Sequence, residues 1–166
     1  MKIGLRAIEP EDADFMYEVE SDPDAWKYSG YVAPLSRELL RQYALTYDAD
    51  PFRCGQLRLI IEADGVAIGI ADLFEISARH LRAESGIYIL PAHRRMGYGA
   101  EALRALTDYS AGRLGLHQLT ATVSEMNIAA RDCYLKAGFI QTGMRVDWVR
   151  TTSGYESALL LSFCSE

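Results

Sequence analysis

Cysteine is scarce and scattered in this chain. Cys54, Cys133 and Cys164 are odd in number, widely spaced and outside any Cys-x-x-Cys pattern, which argues against a disulfide framework or a cysteine-built zinc site. His80, His93 and His117 show no metal-ligand spacing, so no metal is expected. Long apolar runs are missing too, and the N-terminal stretch carries Arg6, Glu9, Glu11 and Asp12 where a leader or membrane span would be apolar. The expectation is a soluble cytoplasmic protein without a membrane partner. Basic residues are in deficit, with 17 Lys and Arg against 23 Asp and Glu and a net charge of −6. That balance disfavours a general nucleic-acid surface and favours cationic partners. No repeat, linker or low-complexity tract interrupts the 166 residues, 49% of them hydrophobic, which suits one domain over 1–166 with a real core.

What is present reads as alternating strands and helices. Ile3 to Ile8 is a strand, and Pro10 starts a helix to about Glu20 that Asp22-Pro23-Asp24 ends. Trp26 to Leu35, with Gly30 and Pro34, reads as a loop, and Ser36 caps a helix toward Tyr47. Leu57 to Ala63 and Val66 to Ile76 are β-rich runs joined by Asp64-Gly65, a two-residue hairpin turn. Arg82 to Ile89 adds a third strand. A helix follows from about Gly99 to Leu114 with Gly115 as its cap, then a strand Gln118 to Val123 and a helix from Asn127 to Gly138. Phe139 to Arg150 and Glu156 to Phe163 close the chain as a hairpin. The predicted order is β-αα-βββ-α-β-α-ββ.

The most informative stretch is Ile87-Tyr-Ile-Leu-Pro-Ala-His-Arg-Arg-Met-Gly-Tyr-Gly-Ala100, an apolar strand running into Arg94-x-x-Gly97-x-Gly99 and a helix. Glycines there let backbone N–H groups converge on an anion, and the helix turns its positive end toward it. Arg94 and Arg95 add charge at the rim. Gly97-x-Gly99-x-x-Ala102 also fits a short dinucleotide fingerprint. Against that reading, Pro91 to Met96 separate strand from glycines, and Gln118 to Ser124 contain no acidic ribose partner. A P-loop is excluded because no Gly-Lys-Ser or Gly-Lys-Thr occurs.

A second segment, Asn127-Ile-Ala-Ala-Arg-Asp-Cys-Tyr134-Leu-Lys-Ala-Gly-Phe139, follows the next predicted strand. Together the two segments resemble the GNAT superfamily of N-acetyltransferases. The opening Leu5-Arg-Ala-Ile-Glu-Pro-Glu-Asp12 is similar to the branch containing ribosomal-protein and spermidine acetyltransferases. The resemblance implies an α/β fold with a mixed, mostly antiparallel central sheet and helices on both faces. It implies acetyl-CoA as cofactor, its pyrophosphate in the glycine cradle and its pantetheine along the strand Arg82 to Ile89, where a backbone N–H meets the thioester oxygen. The cofactor-binding residues so implied are Ile87, Tyr88, Ile89, Arg94, Arg95, Met96, Gly97, Tyr98, Gly99, Ala100, Asn127 and Tyr134.

Acetyl transfer to an amine needs an unprotonated amine, a stabilised oxyanion and a proton for the leaving thiolate. Tyr134, about two helical turns after Asn127, is the candidate acid, since a phenol of pKa ~10 can protonate a thiolate whose thiol lies at ~8.5. Relatives assign the matching tyrosine this role; otherwise it is a core aromatic. Asn127 is an N-cap whatever else it contacts. Glu84 shares a strand face with Gly86 and Tyr88 and is the candidate base through water, the plainer alternatives being a solvated residue or a partner for Arg82. Asp72 and Glu75 face opposite sides of a regular strand, so neither is chosen unless a bulge intervenes. Cys133 points about 100° from Tyr134 on the helix and reads as a buried thiol. The expected activity is direct acetyl transfer to a primary amine, either a small amine or polyamine or a protein N-terminus. A non-catalytic acyl-CoA sensor is the alternative. Where the spermidine branch has an acid-rich segment, Lys27 to Leu35 has no carboxylate, so spermidine is expected to be a weak substrate. An isologous homodimer is the default assembly.

Overall fold

The computed structural model describes residues 3–28 and 32–165. Seven strands and six α-helices follow one another as β1 (Ile3–Ala7), α1 (Ala13–Glu20), α2 (Pro23–Tyr28), α3 (Arg37–Leu45), α4 (Pro51–Cys54), β2 (Leu57–Ala63), β3 (Val66–Ser77), β4 (Arg82–Ile89), α5 (Tyr98–Gly112), β5 (Gln118–Ser124), α6 (Ile128–Lys136), β6 (Ile140–Thr151) and β7 (Gly154–Cys164). The strands form one sheet in the order β1-β2-β3-β4-β5-β7-β6. Among the described residues β4 and β5 are its one parallel pair, as expected where a helix crosses over between neighbouring strands.

Period-two alternation sorts the side chains onto two faces. On one face Ile60, Ile70 and Leu90 pack with Met16 and Val19 of α1 and Leu40 of α3. On the other, Leu59, Ala71, Leu73 and Ala83 pack with Leu103 and Leu106 of α5 and with Tyr134 and Phe139. The predicted architecture of helices on both faces of a mostly antiparallel sheet is therefore found. Among the described residues no helix is long and apolar enough to cross a membrane.

The local signals explain most boundaries. Asp64 and Gly65 take φ of 49° and 84°, the paired positive values of the expected hairpin turn. Ser36 accepts from Leu39 N–H at 3.1 Å, and Asn127 accepts from Ala130 N–H at 3.2 Å. Two expectations need correction. The segment read as a loop from Trp26 begins inside a helix, α2, because Pro23 does not merely end α1 but starts the next helix at the position where its fixed φ fits and its missing N–H is not needed; the Gly30 of that reading lies outside the described residues. Second, α4 was not anticipated, although Asp50 caps it through Phe52 and Arg53 N–H groups at 3.1 and 3.2 Å ahead of Pro51.

The opening Arg6…Asp12 pattern has a structural cause. Arg6 forks onto both Asp12 oxygens at 2.7 and 2.8 Å and donates to Glu62 at 2.6 Å, while Asp12 also accepts from Glu9 N–H at 2.8 Å. This ties the turn before α1 to β1 and β2. The hydrogen bond from Arg6 holds the Asp12 carboxyl below its ordinary range, outweighing burial, which acts the other way. A depressed folded-state pKa means the stabilisation is present above the unfolded value of ~3.9 and is lost as pH falls through the folded value. Asp12→Asn should therefore lower Tm by roughly 3 to 8 °C at pH 7. In melts run at successively lower pH, the gap to the parent should close below about pH 4; a gap independent of pH would refute the ion-pair account.

Candidate active site

The site begins where the sheet comes apart. Parallel pairing of β4 with β5 spans only Arg82–Gln118, Ala83–Leu119 and Glu84–Thr120. Beyond it the strands diverge, β5 staying with β7 and β4 with β3. Leu90 N–H donates to Ile68 C=O at 2.9 Å, which fixes the alternation along β4. The backbone groups of Tyr88 face β3, and those of Ser85, Ile87 and Ile89 face the opening. Gly69 confirms this, since a side chain there would stand 2.2 Å from the Tyr88 carbonyl oxygen.

Three side chains partly take over the missing ladder. Ser85 Oγ donates to Thr120 C=O at 3.0 Å, the Tyr134 hydroxyl donates to Ser85 C=O at 2.8 Å, and Arg94 Nε donates to Ile89 C=O at 2.9 Å. Ile87 lies between them with no strand alongside. Tyr134 is 4% exposed and packs edge-on against Phe139, with ring centroids 4.9 Å apart. Burial pushes its hydroxyl pKa up; the Ser85 hydrogen bond opposes this, and the nearby negative charge of Glu84 adds to it. The phenol thus stays protonated throughout the ordinary pH range.

Glu84 sits on the other face. Its cross-strand neighbour is Phe74, as Gly86 is that of Asp72 and Tyr88 that of Ile70, so the expected row Glu84, Gly86, Tyr88 faces α1 and α3. Glu84 is partly exposed and forms no ion pair with Arg82, so of its two plainer readings the arginine partner does not hold and the solvated residue stands beside the proposed base. Asp72 is committed elsewhere. Arg58 donates to its two oxygens, each at 2.8 Å, and to Glu20 at 2.7 Å. Burial alone would lower the Arg58 pKa, but the two carboxylates hold it well above its ordinary value. The bulge that could bring Glu75 toward the cleft does occur, with the register slipping after Phe74 and Glu75 at φ 51°; Glu75 remains exposed.

The glycine loop ends β4 and leads into α5. Arg95 and Gly97 adopt φ of 63° and 86°, a turn that aims successive N–H groups to one side. No side chain caps the first turn of α5, which leaves donors of Tyr98, Gly99 and Ala100 for another acceptor. Arg95 and Met96 are exposed beside it. Two expectations change here. The Arg94 side chain does not stand free at the rim: it pairs with Asp22 at 3.1 Å and lies over the Tyr88 ring at 5.2 Å, and Tyr88 in turn hydrogen-bonds Asp22. Gly99 has a packing reason beside any phosphate reason, because a side chain there would meet Cys133 Sγ at 2.9 Å on α6. Cys133 is half-buried, and burial raises its thiol pKa, in keeping with a packing residue.

Reading the sequence alone missed Asp22, which joins the α1–α2 connection to the end of β4, and Glu156, which accepts from the Ser124 hydroxyl at 2.6 Å on the β5–β7 side of the opening. Neither lies within a motif; only the paired strands reveal them.

An unpaired strand edge beside an uncapped helix start suits an extended amide-bearing ligand ending in phosphates, and comparison with known proteins agrees. The family described as "Acetyltransferase (GNAT) domain" matches residues 2–140. The spermidine N(1)-acetyltransferase of Escherichia coli K12 is 28% identical over 141 residues, 85% of this chain and 74% of that one. The uncharacterized N-acetyltransferase YoaA of Bacillus subtilis is 29% identical over 145 residues, 86% of this chain and 82% of that one. The crystal structure of Vibrio cholerae spermidine N-acetyltransferase in complex with CoA and spermine superposes with a TM-score of 0.84 at 25% identity, covering 98% of this chain and 95% of that one. With its motifs, its divided sheet and the matched span in agreement, the chain belongs to the GNAT acetyltransferase domain family.

Proposed function

We propose that this protein, as a single domain, moves an acetyl group from acetyl-CoA directly to a primary amine in a ternary complex, and that the β4–β5 opening with Tyr134 at its root is the observation that carries the reading. The Ile87 edge supports pantetheine in the place of a missing strand, and an N–H there faces the thioester oxygen as charge develops on it. The turn at Arg95 to Gly97 and the free first-turn donors of α5 suit the pyrophosphate, with the Arg95 charge beside it. Arg94 contributes through its backbone and by bracing the loop. Asn127 holds the start of α6 and so sets the position of Tyr134.

Acetyl transfer is then mainly a matter of positioning. Glu84, on the face opposite Tyr134, takes the ammonium proton through water. The amine nitrogen attacks the thioester carbon; as the tetrahedral intermediate collapses the C–S bond breaks and the nitrogen releases its second proton to water. Tyr134, held protonated, shifts its hydrogen bond from Ser85 C=O to the departing sulfur and supplies its proton, and the proton released by the nitrogen restores the phenol. The free thiols of Cys54, Cys133 and Cys164 suit a cytoplasmic setting. A homodimer through the edge strand β6, where Met144, Val146 and Trp148 are more than half exposed, is the assembly we favour.

Thiol release from acetyl-CoA with a panel of polyamines, arylalkylamines, amino acids, aminoglycosides and N-terminal peptides tests the activity. Cofactor binding without release on any amine would favour a sensor instead. Tyr134→Phe should keep coenzyme A binding and lower kcat by about two to four orders of magnitude; turnover within twofold of the parent would remove Tyr134 as the acid. Glu84→Gln should move the rising limb of the pH–rate profile to higher pH, because the amine must then lose its proton to solvent before it binds. An unshifted profile would dismiss Glu84 as the base. For the cradle, Gly97→Ala should weaken coenzyme A binding, since φ of 86° strains any side chain. Gly99→Ala should instead lower Tm, with recovery in Gly99→Ala/Cys133→Ala, where the sulfur in its way is gone. Failure of the double variant to recover Tm would show that Gly99 is needed for a reason other than this contact.

A further inference from the structure

On the face of the sheet that carries Glu84, a cavity of about 430 Å³ lies between α3 and strands β2 and β3. Its walls are Leu35, Leu39, Tyr43 and Phe74, with Arg58 and Asp72 at its floor. Leu39 and Phe74 are 53% and 38% exposed, so apolar surface lines a recess of a size typical for small-ligand sites. Toward β4 the cavity is bounded by Asp72 and Phe74, whose cross-strand neighbours are Gly86 and Glu84. Gly86 has no side chain to close this passage; a Cβ there would come within 3.5 Å of the Phe74 ring. Two strand spacings, about 10 Å, separate β3 at the cavity from the place beside β4 where the thioester would lie.

Resting on the acetyltransferase reading above, we propose that this cavity receives the acceptor, and that the acceptor is a small primary amine bearing an apolar or aromatic group, such as an arylalkylamine, and not a polyamine. The charge arrangement decides between the two. Asp72 presents both oxygens to Arg58, and Glu20 takes the remaining arm of the same guanidinium. Arg58 neutralises Asp72, and Glu20, 9% exposed at its side chain, is spent on the same guanidinium, which leaves Glu84 as the carboxylate that attracts one ammonium group into the cleft. A polyamine brings further ammonium groups, which would lie against leucines without counter-charges, and unpaired charge in such surroundings is costly. A phenyl or alkyl group on the same recess gains instead by covering Leu39, Tyr43 and Phe74.

The test measures acetyl-CoA thiol release with 2-phenylethylamine and with spermidine, in the parent and in Leu39→Lys, which alters an exposed position on α3. The parent should show kcat/KM for 2-phenylethylamine at least about tenfold above that for spermidine, and Leu39→Lys should raise KM for 2-phenylethylamine about tenfold with little change in kcat or in coenzyme A binding. A preference for spermidine, or a Leu39→Lys effect that is equal for both amines, would overturn the proposal. If coenzyme A binds but neither amine nor the wider panel is acetylated, the catalytic reading has failed. Calorimetry of 2-phenylethylamine against the CoA-bound protein then decides the cavity separately: saturable binding weakened by Leu39→Lys supports it, and no binding by the parent rejects it.

Discussion

The separation of β4 from β5 is the constraint on which the rest of the molecule depends. A sheet interior normally satisfies every backbone group, and leaving a buried one unpaired costs about 1–3 kcal/mol. Here the ladder stops after the Glu84–Thr120 pair, so β4 must be held in place by other means. From β3 it receives a full antiparallel partner, close enough at Gly69 that only glycine fits. Across the open side its own Ser85 Oγ donates to Thr120 C=O of β5, while Tyr134 and Arg94 donate to the Ser85 and Ile89 carbonyls. The backbone left over at Ile87 is a strand edge inside the protein, a place where an extended amide-bearing chain can add itself to the sheet.

This constraint also separates the chemistry by face. Tyr134 approaches the opening from the α5–α6 side within the larger core cluster, whereas Glu84 approaches from the side of α1 and α3. An acid and a base on one face would interact directly and compete for one proton. With the proposed acid and base on opposite faces, they meet only through the strand edge between them, and the negative charge of Glu84 helps to keep the Tyr134 hydroxyl protonated. In the proposed reading the same division leaves the glycine loop to the cofactor and α3 with the Arg58 network to the acceptor, so one can diverge without disturbing the other.

Legibility in the sequence followed the range of the interaction. The hairpin at Asp64-Gly65, the caps at Ser36 and Asn127 and the strand entering the glycine loop were readable because each signal and its consequence lie within a few residues. The start of α2 at Pro23 was misread because proline both ends and begins helices, and only the neighbouring contacts say which. Gly99 was assigned to the phosphates when its immediate neighbour is Cys133, a residue 34 positions later. Asp72 was set aside for its parity on the strand, while the stronger reason is its fork with Arg58, 14 positions away. The motifs point to the site proposed here, but side-chain duties within it depend on partners that spacing does not reveal.

The relation to the spermidine enzymes carries the same lesson one level up. At 25% identity the fold is shared, because backbone pairing tolerates wide substitution provided that the alternation and the few required glycines persist. Acceptor choice has no such protection. In the reading proposed here it rests on which carboxylates remain unpaired near the opening, and Arg58 neutralises Asp72, a carboxylate that borders the recess. Glu20 partly restores the negative charge, yet it does so by binding the same guanidinium, which keeps that charge 9% exposed at its side chain instead of projecting it into the cleft. In the reading proposed here the recess offers an incoming molecule mostly hydrocarbon with one place for an ammonium group, and discrimination among amines becomes a question of what hangs from the nitrogen.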